Sequence, residues 1–168
     1  MDIKKILALM IVVLALFSCM NVASAGIFDA FGDIVGGNNG GNGGNDTFTI
    51  DGFTVELPEG TTISDYNYTK DGVTTQQYTV YLENGDDFTI EVFYGPNCVS
   101  SIDEYVDNWV SSGDGESFGY YNGWAVIKED LSSSTVYELV IQDGNRFISI
   151  WGDDLPLLKS VADTYKKI

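Results

Sequence analysis

Nearly all the side chains able to do chemistry in this sequence are carboxylates. There are 25 Asp and Glu against 8 Lys and Arg, with 2 Cys and no His. Without imidazole there is no His-based triad, no His-ligated zinc and no imidazole switch near neutral pH. Two carboxylates are enough for glycoside cleavage, one as acid and one as base or nucleophile. With so many acids, some pair will lie at a workable distance by chance, and the order of residues selects none. No residue is therefore assigned a catalytic role. Serines lack both a G-x-S-x-G setting and a base. Hard cations take carboxylate oxygens, so Asp86-Asp87, Asp114 with Glu116, and Asp153-Asp154 are candidates for calcium. None has EF-hand spacing, and turns and helix caps use the same residue types. The sequence thus assigns no metal ligand and no cofactor. Tyr120-Tyr121-Asn122-Gly123-Trp124 is a candidate aromatic platform for a sugar or peptide. Aromatics in a hairpin also serve as cross-strand core pairs.

The N-terminus bears on where this chemistry is carried out. Lys4 and Lys5 precede the apolar run Ile6 to Phe17, and Ala23-Ser24-Ala25 follows. A charged start, a short apolar run and an A-x-A site describe a secretory signal peptide over residues 1–25, cleaved between Ala25 and Gly26. A bilayer core of about 30 Å calls for about 20 helical residues. Extending the run through Cys19, Met20 and Val22 approaches that length, which leaves an uncleaved anchor open. Leu16-Phe17-Ser18-Cys19 resembles a lipoprotein box with Cys19 as the lipidated residue, although Phe17 is bulky for it. Cleavage after Ala25 leaves 24 acids and 6 bases, a formal charge of -18. Such a chain repels nucleic acid and anionic lipid. It also leaves Cys98 alone, expected to be a packed side chain that reacts slowly.

Residues 26–46 are expected to be a tether. GIFDAFGDIV could form a short amphipathic helix, but two glycines weaken it and an isolated helix of that length is marginal. GGNNGGNGGND, residues 36–46, has no apolar side chain to offset the entropy of ordering. As a flexible coil it spans about 17–20 Å. Asn45-Asp46-Thr47 and Asn67-Tyr68-Thr69 are glycosylation acceptor patterns, at Asn45 and Asn67, both expected in linker or loop.

Residues 47–168 are long enough for one domain with its own core. Alternating apolar residues place strands at 48–50 and 53–57 around Asp51-Gly52, at 75–82, and at 87–94 after Asn84-Gly85. Further strands are expected at 118–121 and 124–128 around Asn122-Gly123, and at 134–142 and 146–151. Ile102, Tyr105, Val106, Trp109 and Val110 form one helical stripe. Ser101 with Glu104 suggests a capping box, and Gly113 a stop. A last helix begins near Asp153-Asp154, with Pro156 in its first turn and Lys166-Lys167 at its end. The expected fold is α+β: a largely antiparallel β-sheet covered by two α-helices, preceded by the signal peptide and flexible linker.

The phrases FTVELPEG, SSIDEYVDNWV and NGWAVIK, in this order of elements, resemble the PsbP-like α/β/α superfamily over roughly residues 47–168. The resemblance implies non-catalytic binding or adaptor roles, often at membranes. The metal-binding histidines of some members have no counterpart here. Together these readings point to a secreted or cell-surface binding or adaptor domain. A calcium-dependent surface module and a carboxylate-dependent glycoside hydrolase are the alternatives. The expected partner is a cell-envelope protein or polysaccharide. Nucleic acid is not expected, and membrane contact would come only through an uncleaved or lipidated N-terminus.

Overall fold

A computed structural model describes residues 46–168. The signal peptide with its Ala25–Gly26 site, Cys19, the tether up to Asn45 and the Asn45 acceptor lie outside the described residues. Ten strands and two helices follow one another: β1 (Asp46–Ile50), β2 (Phe53–Leu57), β3 (Thr62–Lys70), β4 (Val73–Tyr81), β5 (Asp87–Tyr94), α1 (Ile102–Ser112), β6 (Glu116–Tyr121), β7 (Trp124–Asp130), β8 (Thr135–Asp143), β9 (Arg146–Gly152), α2 (Leu155–Asp163) and β10 (Lys166–Lys167). The α+β class and the antiparallel pairing are as expected. The strands, however, form two sheets. Seven make an antiparallel sheet in the order β3-β4-β5-β9-β8-β7-β6, and β1-β2-β10 form a second, smaller one.

The two sheets and two helices enclose two apolar layers. Alternate residues of the large sheet (Val80, Phe88, Ile90, Val92, Trp124, Val126, Leu139, Ile148 and Ile150) face β1, β2 and α2. Phe48, Ile50, Phe53, Val55 and Leu57 meet them from the small sheet, and Leu158, Val161 and Ala162 from α2. The opposite face holds a smaller cluster, Val106, Ala125, Ile127, Val140 and Phe147, joined by Ile102, Tyr105 and Trp109 of α1. Because side chains alternate along each strand, this second layer is built from residues the first leaves facing outward.

Several expectations change. β3 was not legible: TISDYNYTK carries no apolar alternation, because an edge strand exposed on both faces needs none. The Asn67 acceptor therefore sits within strand β3, opposite Gln76, rather than in a loop. Lys166 and Lys167 do not end a helix. Thr164 caps α2, and the two lysines pair with Thr54 and Phe53 of β2. At Asn84-Gly85 only Gly85 takes a positive φ, while the Asn84 side chain accepts from the Asp86 amide. At Asn122-Gly123 both residues take positive φ, as a tight hairpin turn requires.

The cap of α1 is half of what was expected. Ser101 Oγ accepts from the Glu104 amide at 3.2 Å, but Glu104 reaches back to the amide and hydroxyl of Ser100 instead of the Ser101 amide. Ser101→Ala is expected to cost about 1 kcal/mol, read as a shift in urea midpoint at unchanged slope.

Candidate functional site

Among the described residues, the α1 side of the large sheet is only half covered. α1 packs over β6, β7 and β8. Tyr105 reaches one end of the central strands, where its ring lies 5.5 Å from Phe93 and 6.1 Å from Phe147. The remaining surface of β3, β4, β5 and the adjoining parts of β9 and β8 lies beyond α1. Cross-strand register places its side chains in rows, since directly opposed residues point to the same face. One row runs Tyr66, Gln77, Glu91, Ser149; a second runs Ser64, Thr79, Thr89, Trp151, Glu138. Tyr68 and Tyr81 flank these rows.

This face is polar where a sheet usually packs. Thr75, Thr89 and Ser149 are buried within it. Glu91 and Glu138 are half-buried residues in the middle of strands β5 and β8, on either side of β9. Twice the usual strand spacing puts these two strands about 10 Å apart. Glu138 Oε1 accepts from the Tyr105 hydroxyl at 2.9 Å and from the Ser149 hydroxyl at 2.5 Å. Among the described residues neither glutamate has an ion pair. Loss of water pushes the Glu91 carboxyl up to about 7, with the Glu138 charge adding to the shift and a hydrogen-bonding interaction with Trp151 opposing it. Burial also raises Glu138, against the hydroxyls of Ser149 and Tyr105 that favour its charged form. Tyr105 is pushed well above its ordinary value by burial and by Glu138. Two desolvated acids on one face, facing hydroxyls and an indole, are the arrangement in which perturbed groups mark functional sites.

Aromatic surface adjoins these acids. Tyr66 and Tyr68 are 52% and 39% exposed, and Tyr81 is 45% exposed. The rings of Tyr66 and Tyr68 stack with centroids 5.7 Å apart. The aromatics at 120–124, a candidate platform or cross-strand core pairs, are divided between core and surface. Trp124 is buried against Tyr165, and the Tyr121 hydroxyl donates to Asp163 at 2.6 Å. Tyr120 points the other way, donating to Asp103 of α1 at 2.9 Å.

The acidic pairs read as calcium candidates are dispersed into other roles. Asp154 caps α2 by accepting from the Leu157 amide, Asp86 accepts from Asn84, and Glu116 pairs with Lys128. Asp86, Asp153 and Asp154 do line one open depression of about 550 Å³ with Tyr137, Leu155 and Pro156. Among the described residues no three His, Cys, Asp or Glu side chains are grouped closely enough to hold a metal ion. A second depression, of about 400 Å³, lies at the β8–β9 turn, where Asp143 meets Arg146 and Lys167. These two cations hold the Asp143 carboxyl below its ordinary range, Lys167 contributing more. The network ties the large sheet to β10, and Arg146 also donates to the Asp51 carbonyl at the β1–β2 turn. Cys98 is half-buried against the α1 cluster, and burial pushes its thiol up.

Sequence reasoning did not select Glu91 or Glu138. A signal was present: each is the lone acid in the middle of an otherwise apolar or hydroxyl-bearing strand, DFTIEVFY and TVYELVIQD. Comparison with protein-family models, with curated proteins and with solved structures returns no match.

Proposed function

We propose that this chain is a secreted or cell-surface binding domain that holds its partner on the open half of the seven-stranded sheet. The observation that carries this reading is the face itself: three exposed tyrosines beside two desolvated glutamates that have no ion pair among the described residues. The three tyrosines give this face an exposed aromatic surface, and aromatic residues are enriched where proteins bind. The export reading is supported by the charged start, apolar run and A-x-A site of residues 1–25. The order of elements that resembles the PsbP-like superfamily accords with an adaptor role.

One observation favours a second reading. Glu91 titrating near 7 beside another carboxyl would suit a general acid in glycoside cleavage. The sheet face favours binding, because the two carboxyls of a glycosidase flank the scissile bond from opposite sides, whereas Glu91 and Glu138 lie side by side on one face.

A single experiment separates the two. Purified protein is incubated with isolated cell-envelope material, and the retained fraction and the soluble sugar and peptide products are both measured. Retention without products is expected, with retention reduced at least fivefold by the double variant Tyr66→Ala, Tyr68→Ala. Products that disappear in Glu91→Gln would establish the hydrolase instead. Retention unchanged in the double variant would remove the face from consideration.

A further inference from the structure

Charge is distributed unevenly between the two sides of the large sheet. Among the described residues the bases are Lys70, Lys128, Arg146, Lys159, Lys166 and Lys167. Five of them lie on the side of the small sheet and α2. Lys128 bonds Glu116 and Asp130 there, Arg146 stands over the Phe53 ring, Lys159 over the Tyr121 ring, and Lys166 and Lys167 form β10. Only Lys70, at the β3–β4 turn, shares the side of the open face. That side carries Glu91, Glu138, Asp87 and Glu129 on the sheet and Asp103, Glu104 and Asp107 on α1. Glu138 has two hydroxyl donors. Glu91 stands opposite Ser149 and Gln77 with no cation beside it.

Resting on the binding reading above, we infer that the open face receives a lysine- or arginine-rich segment of a partner protein, with one cationic side chain reaching Glu91 past the Tyr66–Tyr68 pair. Three features of the face select this occupant. A cation supplies the counter-charge that Glu91 lacks, and a desolvated charge gains most from a partner. The stacked tyrosine rings offer π faces that attract a cation. The face is an open surface, suited to a polymer more than to a small amine, which needs a concave pocket. β3 adds to this as the edge of the sheet, with one row of backbone donors and acceptors, along nine residues, that no described strand pairs. An extended segment can pair along such an edge. A neutral polysaccharide would also stack on the tyrosines, but it would leave Glu91 without a counter-charge.

The test uses purified protein at pH 8.5, where Glu91 is ionised, with two probes, decalysine and the neutral sugar chitohexaose, titrated at 0.05 M and 0.3 M sodium chloride. Because any cation is drawn to so acidic a chain, the variants decide. Decalysine affinity is expected to fall about tenfold in Glu91→Gln and at least threefold in Tyr66→Ala, Tyr68→Ala. It is expected to change less than twofold in Glu59→Gln and Glu83→Gln, which remove equal charge from exposed positions off the face. Equal small losses in the three glutamate variants, with none in the tyrosine double variant, would show attraction to net charge alone and would overturn the inference. Chitohexaose binding that is lost with the tyrosines and indifferent to salt would overturn it too, while leaving the open face as the binding surface. Absence of tyrosine-dependent binding for both probes would overturn both readings.

Discussion

The unfolding free energy of the domain is expected to fall by about 2–3 kcal/mol between pH 5 and pH 8, and Glu91→Gln to remove most of that fall. Glu91 holds its proton up to about 7 when folded, against an ordinary value of 4.5. Below 4.5 the group is protonated in both states and contributes no penalty. As pH rises, the unfolded chain releases its proton first, so stability is lost through the window from 4.5 to about 7 and is level above it. Each pH unit in that window is worth about 1.4 kcal/mol. Glu138 and Glu129, both raised by burial on the same face, act in the same direction. Little else competes there. The chain has no histidine, and the carboxyls of Asp143, Asp130, Asp163 and Glu104 are shifted downward, so their contributions change at lower pH. Urea unfolding at pH 5, 6, 7 and 8 measures the effect. A stability that is flat or rising over that range in the native sequence would mean that Glu91 is well solvated and that the face is not a desolvated site.

Phe53→Ala is expected to cost about 3–5 kcal/mol, the range for deleting a fully buried aromatic ring. Phe53 is completely buried in β2, the middle strand of the small sheet. Its ring lies 5.4 Å from the Tyr165 ring and 5.6 Å beneath the Arg146 guanidinium. Removing it opens a cavity where the small sheet, the β9 terminus and the segment after α2 meet. A domain of this size has typically 5–15 kcal/mol in total, so the variant should be partly unfolded near 37 °C. Tyr66→Ala, on the exposed edge strand, is expected to change stability by less than about 0.5 kcal/mol. Circular dichroism melts of the two variants check both statements, and comparable losses in both would contradict the assignment of core and face.

The contrast between these residues shows what the sequence made legible. Apolar alternation placed β2, β5, β8 and β9, because each buries one face against the facing sheet, α1 or α2. The helical stripe from Ile102 to Val110 placed α1, and Asn122-Gly123 placed its hairpin, since both rest on local geometry. β3 escaped because its side chains are solvent-exposed or part of the polar face, so no periodic burial marks it. The division into two sheets was hidden for a different reason. Alternation in β1 and β2 shows that one face is buried but not what covers it. The pairing of Glu91 with Glu138 was hidden by topology: β9 inserts between β5 and β8, bringing together residues 47 positions apart through a strand that follows both.

Hydrogen exchange on the protein bound to isolated cell-envelope material locates the contact directly. Slowed exchange is expected in β3, β4 and β5, residues 62–94, above all along the β3 edge, whose outward amides have no partner strand among the described residues. Exchange in β1, β2 and α2 should be unchanged. Protection confined to the small sheet or α2, with 62–94 exchanging as in the free protein, would contradict the assignment of the open face as the binding surface.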